Sequence, residues 1–199
     1  MKTQTDVRRP AQTDYPIDPV LAGRWSSRAI DPDKPVEQDV VNRLLEAARW
    51  APSAFNNQPW SFLVLTEDNQ KALEEGRKAL MPGNSWALNA PVLMYSLAHV
   101  TFRGKSRENW RRGYETGMAV ISMAYQAVRE QLGFHQMAGF SPDILRASFS
   151  IGDDYDIFTA IAVGYPGRED LLDEGKLAME TEERQRLDFN EFVRWGRWD

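Results

Sequence analysis

The stretch that most constrains this chain is Ala51-Pro52-Ser53-Ala54-Phe55-Asn56-Asn57-Gln58-Pro59-Trp60, with Ser61-Phe62-Leu63-Val64-Leu65 directly after it. A segment of helical period enters it and an apolar strand leaves it. Pro52 has no N–H and cannot extend the helix, and Pro59 biases Gln58 toward extended backbone. These residues therefore read as a fixed, irregular loop presenting Ser53, Asn56, Asn57 and Gln58. A side-chain amide offers both a donor and an acceptor, which suits the mixed edge of a flat heterocycle better than a phosphate. The same groups would also serve a simpler end, tying down the backbone of a capped helix-to-strand connection.

With 199 residues the chain fits one domain able to bury a sizeable core. We read residues 1–16, polar and carrying Pro10 and Pro16, as a flexible arm, and 17–199 as a single domain. No apolar run is long enough to span a bilayer, and Met1-Lys2-Thr3-Gln4-Thr5-Asp6 lacks the apolar core of a secretory signal. Cysteine is absent, which excludes disulfides, thiolate metal sites and cysteine nucleophiles and fits a cytoplasmic protein. A net charge of −5 gives no reason to expect nucleic acid as a partner. His99 and His135 are the two histidines, too few for a multi-histidine metal site. Seven tryptophans favour interfaces and ring-binding pockets.

Asp18-Pro19 pairs a cap with a first-turn proline and predicts a short helix to about Arg24. Val36, Val40, Val41, Leu44, Leu45 and Ala48 follow helical spacing to near Trp50. Residues 61–66, 91–98 and 156–163 read as buried strands, and 70–80 as a surface helix. The longest apolar helix is expected over 114–132, ended by Gly133. Residues 134–140 read as extended, Ser141-Pro142 opens another short helix, and 168–180 read as a charged loop. The tail, with Phe189, Phe192, Val193, Trp195 and Trp198, carries more aromatic surface than a free segment should. Alternating strands and helices give an α+β or α/β class in three layers.

Chemistry-bearing groups gather in a few places. Arg24-Trp25-Ser26-Ser27-Arg28 sets two guanidiniums around two hydroxyls, a phosphate-gripping set or else a solvated turn. Arg184-Gln185-Arg186 puts two more on one side of an extended segment, or belongs to an ordinary charged tail. In Met137-Ala138-Gly139-Phe140 the glycine permits close approach of a ligand, or simply a turn. The basic run Arg103, Lys105, Arg107, Arg111 and Arg112 is a solvated loop or a reader of phosphate, for instance that of NADPH. There is no Gly-x-Gly-x-x-Gly and no phosphate-cradling Gly-x-x-x-x-Gly-Lys, and Ser53 has no histidine nearby to activate it. Phosphate-binding groups, amides and flat apolar rings, with no protein nucleophile, describe a chain that holds a cofactor which performs the chemistry.

Pro52-Ser53-Ala54-x-Asn56-x-Gln58-Pro59-Trp60 resembles the signature of the nitroreductase family. The resemblance extends from about Gly23 to Trp198, through Arg24–Arg28, His135–Phe140, Val163-Gly164-Tyr165-Pro166 and Arg184-x-Arg186. It implies a nitroreductase-like three-layer α/β/α sandwich with a central mixed sheet, whose C-terminal segment is exchanged in a homodimer. It also implies FMN held at the interface between subunits. Arg24, Trp25, Ser26, Arg28, Arg184 and Arg186 would lie at the phosphate end, with Arg28 as an alternative partner of the pyrimidine edge. Ala138 and Gly139 would face the central ring, and Asn89 its carbonyl edge. Pro52, Ser53, Ala54 and Asn56 would come from the opposite subunit. The implied reaction is ping-pong: NADH or NADPH delivers a hydride to FMN, and an electron-poor acceptor such as a nitroaromatic or quinone then takes the electrons. No protein side chain need be catalytic. Trp25, Ala54 and Met137-Ala138 depart from the family's commoner residues. The alternatives are a flavin-binding or regulatory module of the same fold without turnover, and a flavin-free partner protein acting through its aromatic tail.

Overall fold

The protein was analysed as a computed structural model, which describes residues 9–198. Among the described residues four strands form one sheet: β1 (Trp60–Thr66), β2 (Val92–His99), β3 (Gly133–Met137) and β4 (Tyr155–Gly164). Their spatial order is β1-β2-β4-β3. Every adjacent pair is antiparallel, so among the described residues the sheet is not the mixed one expected from the resemblance. A parallel pair requires a crossover or a strand from elsewhere, and each neighbour here runs opposite to the next. The α+β class and the three layers stand.

The helices are α1 (Pro19–Gly23), α2 (Gln38–Arg49), α3 (Gln70–Arg77), α4 (Arg112–Arg129), α5 (Pro142–Phe149), α6 (Glu174–Thr181) and α7 (Phe189–Phe192). β2 shows why the sheet is sandwiched. Val92 and Met94 point into a core shared with Val41 and Leu44 of α2 and Ala119, Met123 and Ala127 of α4. Leu93, Tyr95 and Leu97 point into a second core with Leu73 of α3 and Leu145 of α5. A strand buried on both faces loses the polar alternation of a half-exposed one, as residues 92–98 do. Tyr95 is fully buried, and its hydroxyl donates to the Gly76 carbonyl at 2.9 Å. A Cβ at Gly76 would stand 2.2 Å from Leu65 Cδ1, so α3 lies on the sheet as closely as it does because that position is bare.

The short helices begin where their caps predict. Asp18 Oδ1 accepts from Val20 N at 2.8 Å, and Ser141 Oγ from Ile144 N at 3.4 Å. Two local expectations are corrected. Residues 168–180 are not a loop throughout: Asp173 Oδ1 accepts from Lys176 N at 2.8 Å and starts α6, which the charged composition concealed. Gly133 does not end α4. The chain turns at Gln131, with φ 60°, while Leu132 N donates to Ala127 O at 2.9 Å, and Gly133 is already the first residue of β3. Of the expected N-terminal arm, residues 1–8 lie outside the described residues; Ala11 N donates to Ala22 O at 2.9 Å.

Gln131 adopts a conformation that glycine holds without a Cβ clash. Gln131→Gly is expected to stabilise the fold by about 0.5–1 kcal/mol, seen as a higher urea midpoint at unchanged slope. A lower midpoint would mean that the exposed Gln131 side chain makes a compensating interaction.

Candidate functional site

The segment 24–29 leaves α1 in extended backbone and is shaped by one side chain, Glu180, at the end of α6. Glu180 is 2 % exposed. Its Oε1 accepts from Ser27 Oγ at 2.7 Å and Ala29 N at 3.2 Å, and its Oε2 from Arg28 N at 2.9 Å. The Arg28 guanidinium lies 4.0 Å from the same carboxylate. A buried carboxylate with three donors replaces the water it has lost. Ser27 is thus committed to structure, whereas Ser26 lies beside Arg24, whose Nη1 donates to Ser26 Oγ at 3.4 Å.

Four arginines gather around this segment. Burial lowers the pKa of the Arg24 guanidinium, and Arg186 lowers it further. Burial likewise lowers Arg184, with Arg24, Arg186 and Arg9 adding to the effect. Arg184 is not a loose tail residue: it donates to the carbonyls of Arg9 (2.6 Å), Ala22 (3.0 Å) and Arg24 (2.8 Å). Arg9 donates to the Glu182 carbonyl and sits 5.1 Å above the Trp25 ring. A cleft of about 200 Å³ opens beside the cluster, lined by Arg24, Trp25, Ser27, Lys34, Phe134 and Tyr165 among others.

His135 of β3 joins this cluster to the sheet. Its Nδ1–H donates to the Ser27 carbonyl at 3.1 Å, and its ring lies 4.5 Å from that of Trp86. Burial lowers its pKa to about 4, with Arg28 and Arg24 contributing, so the imidazole is neutral at pH 7. Trp86 and the half-buried Asn89 share one 3-10 helix, Pro82–Asn89. Asn84 of that helix donates to Gly139 O at 2.9 Å, and Met81 N donates to the same oxygen at 3.0 Å. A Cβ on Gly139 would come within 2.7 Å of Asn84 Nδ2, so a side chain there would displace the amide. Ala138 is exposed beside it.

The amide loop sits elsewhere. Trp60 begins β1 at one edge of the sheet, and β3 forms the other edge, about 14 Å away across three strand spacings. Phe55, Asn56 and Gln58 have φ of 54°, 54° and 47°. A second buried carboxylate maintains this shape: Glu115 Oε1 accepts from Ala54 N at 2.7 Å and Oε2 from Asn109 Nδ2 at 2.9 Å. Ser53 Oγ accepts from Gln58 N at 2.9 Å, and Pro52 and Asn56 are exposed. The structure therefore brings Arg24, Trp25, Ser26, Arg28, Arg184 and Arg186 together, with Ala138, Gly139 and Asn89 on neighbouring elements. It sets Pro52, Ser53, Ala54 and Asn56 apart on the opposite edge. Glu180, Glu115 and Asn109 were not foreseen. Glu180 and Glu115 reach partners far along the chain or on its backbone, and Asn109 pairs with Glu115 at a six-residue spacing that follows no helical or strand period.

Glu180→Ala is expected to destabilise the fold by about 2–4 kcal/mol, because three donors lose their acceptor, and Glu180→Gln by less. An unchanged urea midpoint in the alanine variant would remove Glu180 from this role. His135 gives a pH dependence. Its folded pKa lies below its unfolded value near 6.5, so below that pH the unfolded chain takes up a proton that the folded chain does not. Stability should therefore fall as pH drops from about 6.5 toward 4, by up to about 3 kcal/mol. His135→Gln should flatten that part of a urea-midpoint-against-pH curve.

Comparison with known proteins bears on the fold and on one segment of the sequence. Residues 21–84 match the model of the nitroreductase family. An NADH dehydrogenase of Thermus thermophilus is 28% identical over 167 residues, spanning 68% of this chain and 80% of that protein. The major NAD(P)H-flavin oxidoreductase of Aliivibrio fischeri is 42% identical over 57 residues, 29% of this chain and 26% of its own. A crystal structure of an oxidoreductase containing FMN superposes with a TM-score of 0.87 at 29% identity, covering 94% of this chain and 96% of that one. Residues 21–84 are thus similar to the nitroreductase family, and the fold of the whole chain is that of the FMN-containing oxidoreductase.

Proposed function

We propose that the protein is an FMN-dependent oxidoreductase that draws electrons from NAD(P)H and delivers them to an electron-poor acceptor such as a nitroaromatic or a quinone. The observation that carries this reading is the cluster of Arg24, Arg184, Arg186 and Arg9, in which burial and the neighbouring positive charges lower the pKa of Arg24 and of Arg184. Glu180, the carboxylate beside Arg28, is already engaged by Ser27 and two backbone N–H groups. Such a cluster calls for an external polyanion.

The donor set fits FMN. Arg24, Arg28, Arg186 and the Ser26 hydroxyl offer a dianion its hydrogen bonds, and Trp25 gives an apolar wall to the cleft. Arg184 secures the segment by binding the carbonyls of Ala22 and Arg24. Asn89, Ala138 and the bare Gly139 are suited to the ring edge. When bound, FMN supplies the two-electron exchange between nicotinamide and acceptor, in the alternating order of a ping-pong mechanism. The residues bind, orient and compensate charge. His135, neutral at pH 7, orients the Ser27 carbonyl and adds no charge.

The reading includes a homodimer. Leu187, Phe189, Phe192, Trp195 and Trp198 are 53–90 % exposed in the single chain, a surface that a second copy would cover. The amide loop lies on the far edge from the arginine cluster, so a partner could bring its own Pro52, Ser53, Ala54 and Asn56 to this chain's flavin.

The purified protein should be yellow and should bleach anaerobically with NADPH or NADH. Arg24→Ala combined with Arg28→Ala should raise the FMN dissociation constant by at least about tenfold while the fold persists by circular dichroism. Full flavin occupancy in the double variant would refute the phosphate assignment.

A further inference from the structure

A second cationic site lies against the amide loop. After β2 the chain forms a hairpin, with Thr101 bridged to Glu108 and Phe102 N donating to Arg107 O at 3.0 Å. Its turn is closed by Lys105 N donating to Phe102 O at 3.0 Å, with Gly104 at φ 67°. The turn thus projects Arg103, Lys105 and Arg107 from one tip. Arg103 ties the hairpin to the loop: its N donates to Asn57 Oδ1 at 2.9 Å, and its guanidinium to the carbonyls of Asn57 (3.0 Å) and Gln58 (2.8 Å). Between them is a cleft of about 360 Å³, lined by Phe55, Asn57, Phe102, Arg103, Lys105 and Arg107 among others.

Three observations separate this cleft from an ordinary solvated basic loop. First, no carboxylate pairs with Arg103, Lys105 or Arg107 among the described residues, although Glu108 beside them pairs with Arg112 at 2.9 Å. Second, Asn57 is 8 % exposed, and its Nδ2 is buried without a hydrogen-bond partner among the described residues. Third, the loop is held in left-handed backbone at three residues by Glu115, Ser53 and Arg103, and that shape leaves the Phe55 ring 91 % exposed at the rim. Backbone strain of this kind persists where surrounding contacts impose it, and such positions cluster at ligand sites.

We propose that this cleft receives the adenosine end of the nicotinamide dinucleotide, with Lys105 and Arg107 reading its 2′-phosphate, so that the protein prefers NADPH to NADH. The inference rests on the reading of NAD(P)H as electron donor. The exposed Phe55 ring supplies a flat apolar face beside the adenine, the buried Phe102 ring carries the Arg107 guanidinium 4.8 Å above it, and Arg103 ties the hairpin to the loop and adds charge. The 2′-phosphate is the one group that distinguishes the two dinucleotides, and unpaired cations are the means of selecting it.

Isothermal titration of the flavin-loaded protein with 2′,5′-ADP, 5′-AMP and inorganic phosphate tests this directly. 2′,5′-ADP should bind at least about tenfold more tightly than 5′-AMP, and Lys105→Ala combined with Arg107→Ala should abolish that difference. Both residues are exposed, so folding is not at stake. In anaerobic flavin reduction the same variant should raise the apparent dissociation constant for NADPH by about tenfold and leave that for NADH within about twofold. Equal binding of 2′,5′-ADP and 5′-AMP by the wild type, a preference that survives the double substitution, or inorganic phosphate binding as tightly as 2′,5′-ADP would each overturn the proposal. A colourless protein, or a flavin reduced by neither dinucleotide, would overturn the oxidoreductase reading instead, and titration of that protein would still decide the cleft.

Discussion

The candidate site depends on one buried carboxylate. Glu180 comes from a helix late in the chain, yet its contacts determine the path of residues 27–29, about 150 positions earlier. Two of its three hydrogen bonds are to backbone N–H groups, so it shapes the segment whatever side chains that segment carries. The extended course it imposes lets Arg24 and Arg28 flank Ser26 instead of following a helical spiral. A buried charge is tolerable only when its lone pairs are satisfied, and here the donors that satisfy it come from the segment it shapes.

The opposite edge of the sheet uses the same device. Glu115, at the start of α4, holds Ala54 N and is itself held by Asn109. Both carboxylates are 1–2 % exposed, and both anchor irregular backbone to a helix. Regular strands satisfy their own backbone; loops that must present polar groups in a fixed shape do not, and these loops borrow an acceptor from the helical layers. The sheet between them contributes rigidity through β2, whose two buried faces bind it to both layers.

What could be read from the sequence follows from how local each cause is. The prolines and amides of residues 52–59 act on their neighbours, so the irregular loop was legible, as were the caps at Asp18 and Ser141. The two interior strands, β2 and β4, were legible because burial leaves an apolar run; the segment 61–66, expected to be buried, is the edge strand β1 and is only partly buried. The end of α4 was not, because Gln131 takes the left-handed position that glycine usually marks. α6 was hidden by its charged composition. Arg24 and Arg28 stood out as a motif, but the roles of Glu180 and Arg184 depend on contacts between the two ends of the chain, which spacing does not encode. The expectation of a mixed sheet came from resemblance, and the strands among the described residues pair only in the antiparallel sense.

The arginine cluster gives these contacts a consequence for stability. Arg184 engages three carbonyls and Arg9 stacks on Trp25, so these two cations are locked in place as parts of the scaffold. Arg24 and Arg186 are then held within reach of their repulsion, which the fold tolerates because Arg184 joins the tail to residues 22–24. An anion that enters the cluster relieves that repulsion in the folded chain and finds no equivalent array in the unfolded one. By linkage it must stabilise the fold, and most of all the docking of residues 184–186 on the N-terminal segment. The tail's position and the occupancy of the site are therefore one equilibrium, with Arg184 as the mechanical link between them.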